Sequence, residues 1–145
     1  MKNKIHLLLV EDNEGDIILT KEALENSLMI ETMEISRDGN AAIEYLEYVL
    51  FNKEIQLPDI ILLDINLPKV DGQEVLQFIK EHENLKQIPV IMLSTSSSEK
   101  DIVTSYKNYA NCFISKPVEV DNFMSVISKI EEFWLQTALI PHSKN

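Results

Sequence analysis

Short apolar runs alternate along the chain with amphipathic stretches, and this alternation limits the possible folds more than any other feature of the sequence. The first run, Ile5–Val10, lacks the regular polar alternation of a half-exposed strand and is typical of a strand buried on both faces. A helical pattern follows at residues 16–28, where Ile17, Leu24 and Leu28 share one side. Strands that alternate with helices predict a parallel sheet covered by helices on both faces.

The later elements repeat this order, and we predict five strands in all. They are a strand at 32–36, a helix at 39–50, a strand at 59–63, a helix at 73–82, a strand at 89–93, a helix at 99–109, a strand at 112–115 and a last helix at 121–135. Because no internal repeat or linker interrupts them, we predict one α/β domain over residues 1–145, with a core at 5–135 and a tail at 136–145. A doubly wound sheet in a chain this short suits the flavodoxin-like strand order 2-1-3-4-5.

Composition excludes several classes of function. A hydrophobic content of 45% with 26% charged residues indicates a soluble globular protein, and a net charge of -11 argues against a nucleic-acid-binding face. The apolar start is too short for a signal peptide, and no later segment is long and apolar enough to cross a bilayer. Cys112, the single cysteine, is expected to be a small buried hydrophobe. We therefore predict a cytoplasmic protein that binds neither nucleic acid nor membranes.

Acidic, hydroxyl and basic side chains follow four of the five predicted strands. Glu11 and Asp12 follow the first strand, Asp64 the third, Ser94 the fourth and Lys116 the fifth. In the 2-1-3-4-5 order, ligands bind beyond the carboxyl ends of the strands, where the order reverses between the first and third strands. Three carboxylates converging there repel one another unless a cation lies between them. Oxygen ligands without His or Cys favour Mg²⁺.

This set of groups suits phosphoryl transfer. A carboxylate beside Mg²⁺ is a competent nucleophile toward phosphorus, and Lys116 and the Ser94 hydroxyl can contact the oxygens of the transferred group. We therefore predict that Asp64 is placed at the strand end to be phosphorylated. Pro117, directly after Lys116, is expected to fix its loop, with a cis bond as one way of doing so.

Four segments resemble, in this order and spacing, the receiver domain of two-component response regulators: LLVEDN, DIILLDINLPKVDG, IPVIMLSTSS and FISKP. The resemblance implies that Asp64 accepts phosphate from a sensor histidine kinase or a phosphotransfer protein. It also implies that Asp12, Asp64 and the backbone carbonyl of Asn66 hold Mg²⁺, with Glu11 acting largely through water.

The same resemblance assigns roles to the other strand ends. It implies that Lys116 pairs with the phosphoryl group, that Ser94 is the switch hydroxyl and that Phe113 is the switch aromatic residue. The residues after Leu135 are too few for an output domain, so the chain resembles stand-alone receivers that signal by docking to a downstream protein. The segments EYVLFNKEIQLP and FWLQTALIP are similar to the subgroup encoded with phytochrome-type sensor kinases.

The last helix and the tail carry more apolar residues than one helix face needs. Phe123, Ile127, Ile130 and Trp134 form the stripe expected to pack on the sheet, whereas Met124, Leu135, Leu139 and Ile140 lie outside it. Either the tail folds back to complete the core or these surplus residues form a contact surface. We predict a homodimer, or a partner-bound form, through the last helix and tail.

Three other functions share parts of this sequence pattern. A phosphatase of the haloacid-dehalogenase type typically carries a second Asp two residues after its nucleophile, where this chain has Asn66, which cannot transfer the proton. A flavin-binding electron carrier shares the sheet order, but the acidic EDNEGD segment would repel a phosphate after the first strand. The third alternative is a receiver-like interaction module that works without phosphorylation.

Overall fold

Five strands alternate with helices in the computed structural model, which describes residues 4–141. The strands are β1 (Ile5–Val10), β2 (Ile30–Ser36), β3 (Ile60–Leu63), β4 (Val90–Ser94) and β5 (Cys112–Ser115). The helices are α1 (Glu14–Leu24), α2 (Gly39–Phe51), α3 (Gly72–Glu81), α4 (Glu99–Lys107) and α5 (Val120–Ile130), and a π-helix (Glu131–Thr137) continues α5. Residues 142–145, the end of the predicted tail, lie outside the described residues.

The strands form one parallel sheet in the order β2-β1-β3-β4-β5, which confirms the predicted fold class. The register aligns the carboxyl ends of neighbouring strands, since Val10 pairs with Leu63 and Ser94 pairs with Ser115. The residues that follow these positions therefore leave the sheet at one common edge. Among residues 4–141, no helix is long and apolar enough to cross a membrane.

The sheet separates two apolar clusters, because successive strand residues point to opposite faces. Helices α2 and α3 cover one face and α1 and α5 cover the other. The strand residues of the first cluster include Leu8, Val10, Ile61, Leu63, Val90 and Met92. Those of the second include Leu7, Leu9, Ile60, Leu62, Ile91 and Leu93. Both faces are apolar, which explains why β1, β3 and β4 read as continuous apolar runs.

Side-chain caps fix where four of the helices begin. Asn13, Asp38, Asp71 and Ser98 each accept a hydrogen bond from a backbone N–H in the first turn of α1, α2, α3 and α4, respectively. Such caps satisfy amide groups that have no partner within the helix. The Asn13 cap starts α1 at Glu14, two residues before the predicted start.

The carboxyl end of α1 was predicted too late. The helix ends at Leu24, and Leu28 lies in the connection to β2 with 86% of its surface exposed, so it does not share the buried side of Ile17 and Leu24. Cys112 is only partly buried, because it lies on the edge strand β5. No cis peptide bond occurs among residues 4–141, so the proposed cis bond before Pro117 is also wrong.

The end of the last helix changes its winding, and this changes which residues are buried. The π-helix places backbone bonds five residues apart, as in the bond from the Ala138 N–H to the Phe133 carbonyl. The wider turn rotates Leu135 onto the second apolar cluster, where it is 2% exposed. Leu135 is therefore a core residue and not a surplus one. Ile140 also packs on this cluster, whereas Leu139 is 86% exposed.

Candidate functional site

Three strand ends meet around the ammonium group of Lys116. The Lys116 Nζ lies 2.7 Å from Glu11 Oε1, which follows β1, and 3.2 Å from Asp64 Oδ2, which follows β3. The side chains of Lys116, Glu11 and Asp64 are only 5%, 3% and 8% exposed, respectively. The predicted convergence of these groups at the carboxyl edge of the sheet is thus present in the structure.

A candidate metal centre lies beside this lysine. One carboxylate oxygen from each of Glu11, Asp12 and Asp64 lies within 4.8 Å of the others. Glu11 and Asp64 are buried and Asp12 is exposed, so the cluster opens to solvent on one side. Three oxygen donors around a space of this size fit a hard divalent cation that keeps part of its water shell.

The connection from β3 to α3 holds the Asp64 carboxylate in place. The Asp64 N–H donates to the Val10 carbonyl, and the Asn66 N–H donates to Asp64 Oδ1 at 3.1 Å. Gly72 closes the connection, since its N–H donates to the Ile65 carbonyl at 2.7 Å. A Cβ at Gly72 would lie 2.1 Å from the Asp64 carbonyl oxygen, so only glycine permits this approach. Each Asp64 carboxylate oxygen therefore has a fixed donor.

The same connection is braced against the start of α2. Lys69 has a left-handed backbone with φ 67°, and its ammonium lies 3.7 Å from Asp38 Oδ2. A Cβ at Gly39 would lie 1.8 Å from the Val70 carbonyl oxygen, so the two segments touch through their backbones. The position of α2 therefore contributes to the position of the loop that carries Asp64.

The charges at the site are strongly coupled. Burial raises the pKa of Glu11 to about 7, because its desolvation outweighs the lowering by the hydrogen bond from Lys116, and the charge of Asp64 adds to the rise. Burial alone would lower the pKa of Lys116, but its hydrogen bond to Glu11 and the charges of Glu11 and Asp64 raise it. The ammonium is therefore firmly charged. Among the described residues, it is the group that balances the charge of these carboxylates.

Ser94 ends β4, which is next to β3, and Phe113 lies on the edge strand β5 beside β4. Ser94 is fully buried, and its hydroxyl oxygen accepts a hydrogen bond from the Ser96 N–H at 3.1 Å. Phe113 is half-buried against the first apolar cluster, and its N–H donates to the Tyr106 hydroxyl of α4 at 3.1 Å. The Lys116 N–H donates to the Ser94 carbonyl at 2.7 Å, which ties the two strand ends together.

One residue of the site was not predicted from the sequence. The Asp16 Oδ2 accepts a hydrogen bond from Lys116 Nζ at 3.0 Å, from the first turn of α1. The sequence presents Asp16 only as one of two acids in that turn, where acids are favoured for general electrostatic reasons. Its distance from Lys116 depends on how α1 packs, which no local pattern reveals.

The chain is similar in sequence and in structure to proteins of one known family. Residues 7–128 match the response regulator receiver domain family. The response regulator Rcp1 of Synechocystis sp. is 41% identical over 135 residues, which cover 93% of this chain and 92% of that protein. The crystal structure of the Mn²⁺-bound form of Rcp1 has a TM-score of 0.89 at 40% identity and covers 94% of this chain and 99% of that one. The phosphorylated cyanobacterial phytochrome response regulator RcpA has a TM-score of 0.90 at 46% identity, covering 95% of this chain and 99% of that one.

Proposed function

The chain belongs to the response regulator receiver domain family, and on that premise we propose that Asp64 is its phosphoacceptor. The observation that carries the assignment is the position of its buried carboxylate, which lies in the metal cluster and 3.2 Å from the Lys116 ammonium. As a receiver, the protein is a signalling phosphoacceptor of a two-component system and not a classical enzyme. Residues 5–135 form the receiver core in this proposal.

The proposed reaction transfers a phosphoryl group from a phosphohistidine to Asp64. A carboxylate oxygen of Asp64 forms a bond to phosphorus while the bond from phosphorus to the imidazole nitrogen breaks. The leaving nitrogen keeps the electron pair and the imidazole takes up a proton from water. Lys116 stays charged and donates to the transferred group, which carries close to two negative charges.

We propose Mg²⁺ as the resident cation, held by Asp12, Asp64 and the backbone carbonyl of Asn66, with Glu11 acting through water. The oxygen-only donor set of the cluster supports a hard divalent ion, and Rcp1 has been crystallised with Mn²⁺. When bound, the cation would neutralise negative charge on the phosphoryl group during its transfer. Asn66 is exposed at the rim of the cluster, in keeping with a ligand from its backbone.

The switch is proposed to couple Ser94 to Phe113. A phosphoryl group on Asp64 would draw the Ser94 hydroxyl away from the Ser96 N–H, which is its partner in the unphosphorylated structure. Helix α4 can shift in response, because it is only weakly anchored to the core: Ser105 is its one buried residue. Shifting a population from 1:99 to 99:1 requires about 5.5 kcal/mol, and one hydrogen bond to a charged group supplies about 1.5–3 kcal/mol, so the Lys116 contact must contribute as well.

The Ser94→Ala variant tests this coupling. We expect Asp64 to be labelled as in the wild type, whereas the amide resonances of Phe113 and Tyr106 should shift less on phosphorylation, as measured by NMR. Ser97→Ala is the matched control, because Ser97 is an exposed serine in the same connection. Equal shifts in both variants would contradict the coupling of Ser94 to Phe113.

The proposed donor is a sensor histidine kinase of the phytochrome type, or a phosphotransfer protein, in the cytoplasm. The likeness to RcpA, a phytochrome response regulator, supports this choice. A phosphotransfer assay with a labelled phytochrome-type kinase should move the label to the wild type and not to the Asp64→Asn variant. We propose that the phosphorylated protein then passes the signal to a downstream protein.

We also propose self-association, or docking of a partner, through α5 and the tail. The support is the exposed apolar surface of this region, where Phe133 is 55% and Leu139 is 86% exposed. Truncation after Leu135 should weaken association in sedimentation experiments while leaving phosphorylation of Asp64 intact. A monomer at high concentration, with and without a phosphodonor, would contradict self-association.

Labelling by a small phosphodonor tests the central proposal. Acetyl phosphate with Mg²⁺ should add one phosphoryl group to the wild type, and intact mass with site mapping should place it on Asp64. Asp64→Asn and EDTA should each abolish the label, whereas Asp121→Asn, which changes an exposed aspartate at the start of α5, should keep it. Label on another residue at similar yield would refute the assignment, and its complete absence from the wild type would favour the phosphorylation-independent module.

A further inference from the structure

The Lys116 ammonium has three N–H donors, and the structure uses all of them on carboxylates. The acceptors are Glu11 Oε1 at 2.7 Å, Asp16 Oδ2 at 3.0 Å and Asp64 Oδ2 at 3.2 Å. A lysine has no fourth donor and no acceptor. A phosphoryl group on Asp64 therefore gains a full hydrogen bond from this lysine only if the ammonium moves or gives up one of its partners.

The contact distances rank the three partners. The bond to Asp64 is the longest, so the ammonium is drawn toward Glu11 and Asp16 and away from the residue that is to be phosphorylated. Glu11 is 3% exposed and belongs to the metal cluster, so releasing it would leave a buried carboxylate without its cation. The Asp16 side chain is 23% exposed and lies outside that cluster. Asp16 is the partner that water can replace at the lowest cost.

The backbone of α1 holds Asp16 at this position. Its N–H donates to the side-chain oxygen of Asn13 at 2.9 Å, and its carbonyl accepts a hydrogen bond from the Thr20 hydroxyl at 2.7 Å. The backbone of Asp16 is therefore held in place when the lysine moves, so its carboxylate remains within reach of Lys116.

We propose that Asp16 is a positioning residue that competes with the phosphoryl group for Lys116. It holds the ammonium toward α1 while Asp64 is unmodified, and it loses that contact when the added charge on Asp64 attracts the lysine. This inference rests on the proposed phosphorylation of Asp64. Its consequence is that removing the Asp16 charge makes the site bind a phosphoryl group more tightly.

Beryllofluoride, prepared from beryllium chloride and fluoride, tests the competition because it mimics a phosphoryl group on an aspartate without a covalent reaction. Its dissociation constant is measured by ¹⁹F NMR at saturating Mg²⁺ for each variant. Asp16→Asn should bind roughly two- to fivefold tighter than the wild type, the upper part of the range expected for a partly exposed ion pair. Asp16→Glu, which keeps the charge, should stay within about twofold of the wild type.

A matched control separates a direct contact from a general effect of charge. Glu14→Gln removes one negative charge from the same turn of α1, but Glu14 pairs with Arg37 and not with Lys116. It should change beryllofluoride binding by less than about twofold. Equal tightening in Asp16→Asn and Glu14→Gln would overturn the competition, because charge alone would then explain the result.

The lysine itself provides a second readout. In protein labelled with ¹⁵N-lysine, the Lys116 ammonium signal should shift in unphosphorylated Asp16→Asn, because a neutral amide oxygen replaces the charged acceptor, and it should be unchanged in Glu14→Gln. An unchanged signal in Asp16→Asn, with unchanged beryllofluoride binding, would overturn the inference while leaving the phosphoacceptor assignment intact. A wild type that fails to bind beryllofluoride at Asp64 would instead overturn the proposed function together with the inference.

Discussion

Replacing Lys116 with Met measures how much the stability of the folded state depends on this ammonium group. Met has a side chain of comparable length without the charge, so the change leaves Glu11 and Asp64 buried without their common partner. Removing one member of a buried ion pair costs about 3–5 kcal/mol. Each carboxylate keeps one backbone donor, from Asn13 to Glu11 and from Asn66 to Asp64. We therefore expect a loss near the lower limit, about 3 kcal/mol, in EDTA.

The loss should depend on pH with a definite sign. Burial raises the pKa of Glu11 from its ordinary 4.5 to about 7, so the folded protein holds a proton over a range in which the unfolded chain has released it. The stability provided by protonated Glu11 is fully present below pH 4.5 and is lost as the pH rises through about 7. Without Lys116 this pKa rises further, because the hydrogen bond and charge that lower it are gone. The deficit of the variant should be larger at about pH 8 than at about pH 5.5.

Urea unfolding monitored by the fluorescence of Trp134 provides the measurement. Lys86→Met is the matched control, because Lys86 pairs with Glu83 on the surface, with side chains 53% and 82% exposed, and such a pair contributes at most about 1 kcal/mol. Adding Mg²⁺ to Lys116→Met should recover about 2.7 kcal/mol at a hundredfold excess over its Kd. If Lys116→Met unfolds at the same urea concentration as Lys86→Met at pH 8 in EDTA, this ammonium does not balance the buried carboxylates.

Three further changes test the framework around the site, each by urea unfolding. Lys69→Gly and Lys69→Ala both remove the ion pair with Asp38, but only Lys69→Gly relieves the left-handed strain at φ 67°, so it should be more stable than Lys69→Ala by about 1 kcal/mol; equal stability of the two variants would contradict the strain. Gly39→Ala places a Cβ 1.8 Å from the Val70 carbonyl oxygen and should cost about 2 kcal/mol or more, with slower labelling by acetyl phosphate; unchanged labelling would argue against the link between α2 and the loop that carries Asp64. Lys80→Met removes three hydrogen bonds to carbonyl oxygens. Because burial lowers the pKa of this ammonium to about 8, part of its gain from these bonds is offset, and we expect the free energy of unfolding to fall by only about 1–2 kcal/mol. An unchanged free energy of unfolding would refute that contribution.

The strand order and the position of the site could be predicted from the sequence because both depend on local patterns. Continuous apolar runs such as Ile60–Leu63 predict buried parallel strands, and parallel strands bring their carboxyl ends to one edge. The residues directly after the strands therefore lie together at that edge; they are Glu11, Asp64 and Lys116. Their contacts follow from the topology rather than from any detail of packing.

The features that sequence reasoning missed depend on packing and on backbone winding. Asp16 reaches Lys116 because α1 packs beside the carboxyl edge, although in sequence it resembles any acid in a first helical turn. Leu135 is buried because the helix widens to π geometry, which a fixed period of 3.6 residues cannot anticipate. Leu28 fits the apolar period of α1 but comes after the helix has ended.

The connection between α2 and β3 suggests a practical use of this fold. It enters β3 at the end opposite Asp64, and the four residues of that strand separate the two by about 13 Å. Lys53 and Glu54 are exposed at its tip, whereas Leu57 is fully buried and anchors the return to the sheet. Exposed tips of this kind tolerate inserted domains. A fluorescent protein inserted between Lys53 and Glu54 would leave the edge that carries Asp64 untouched, and the location of the chain could then be followed in living cells.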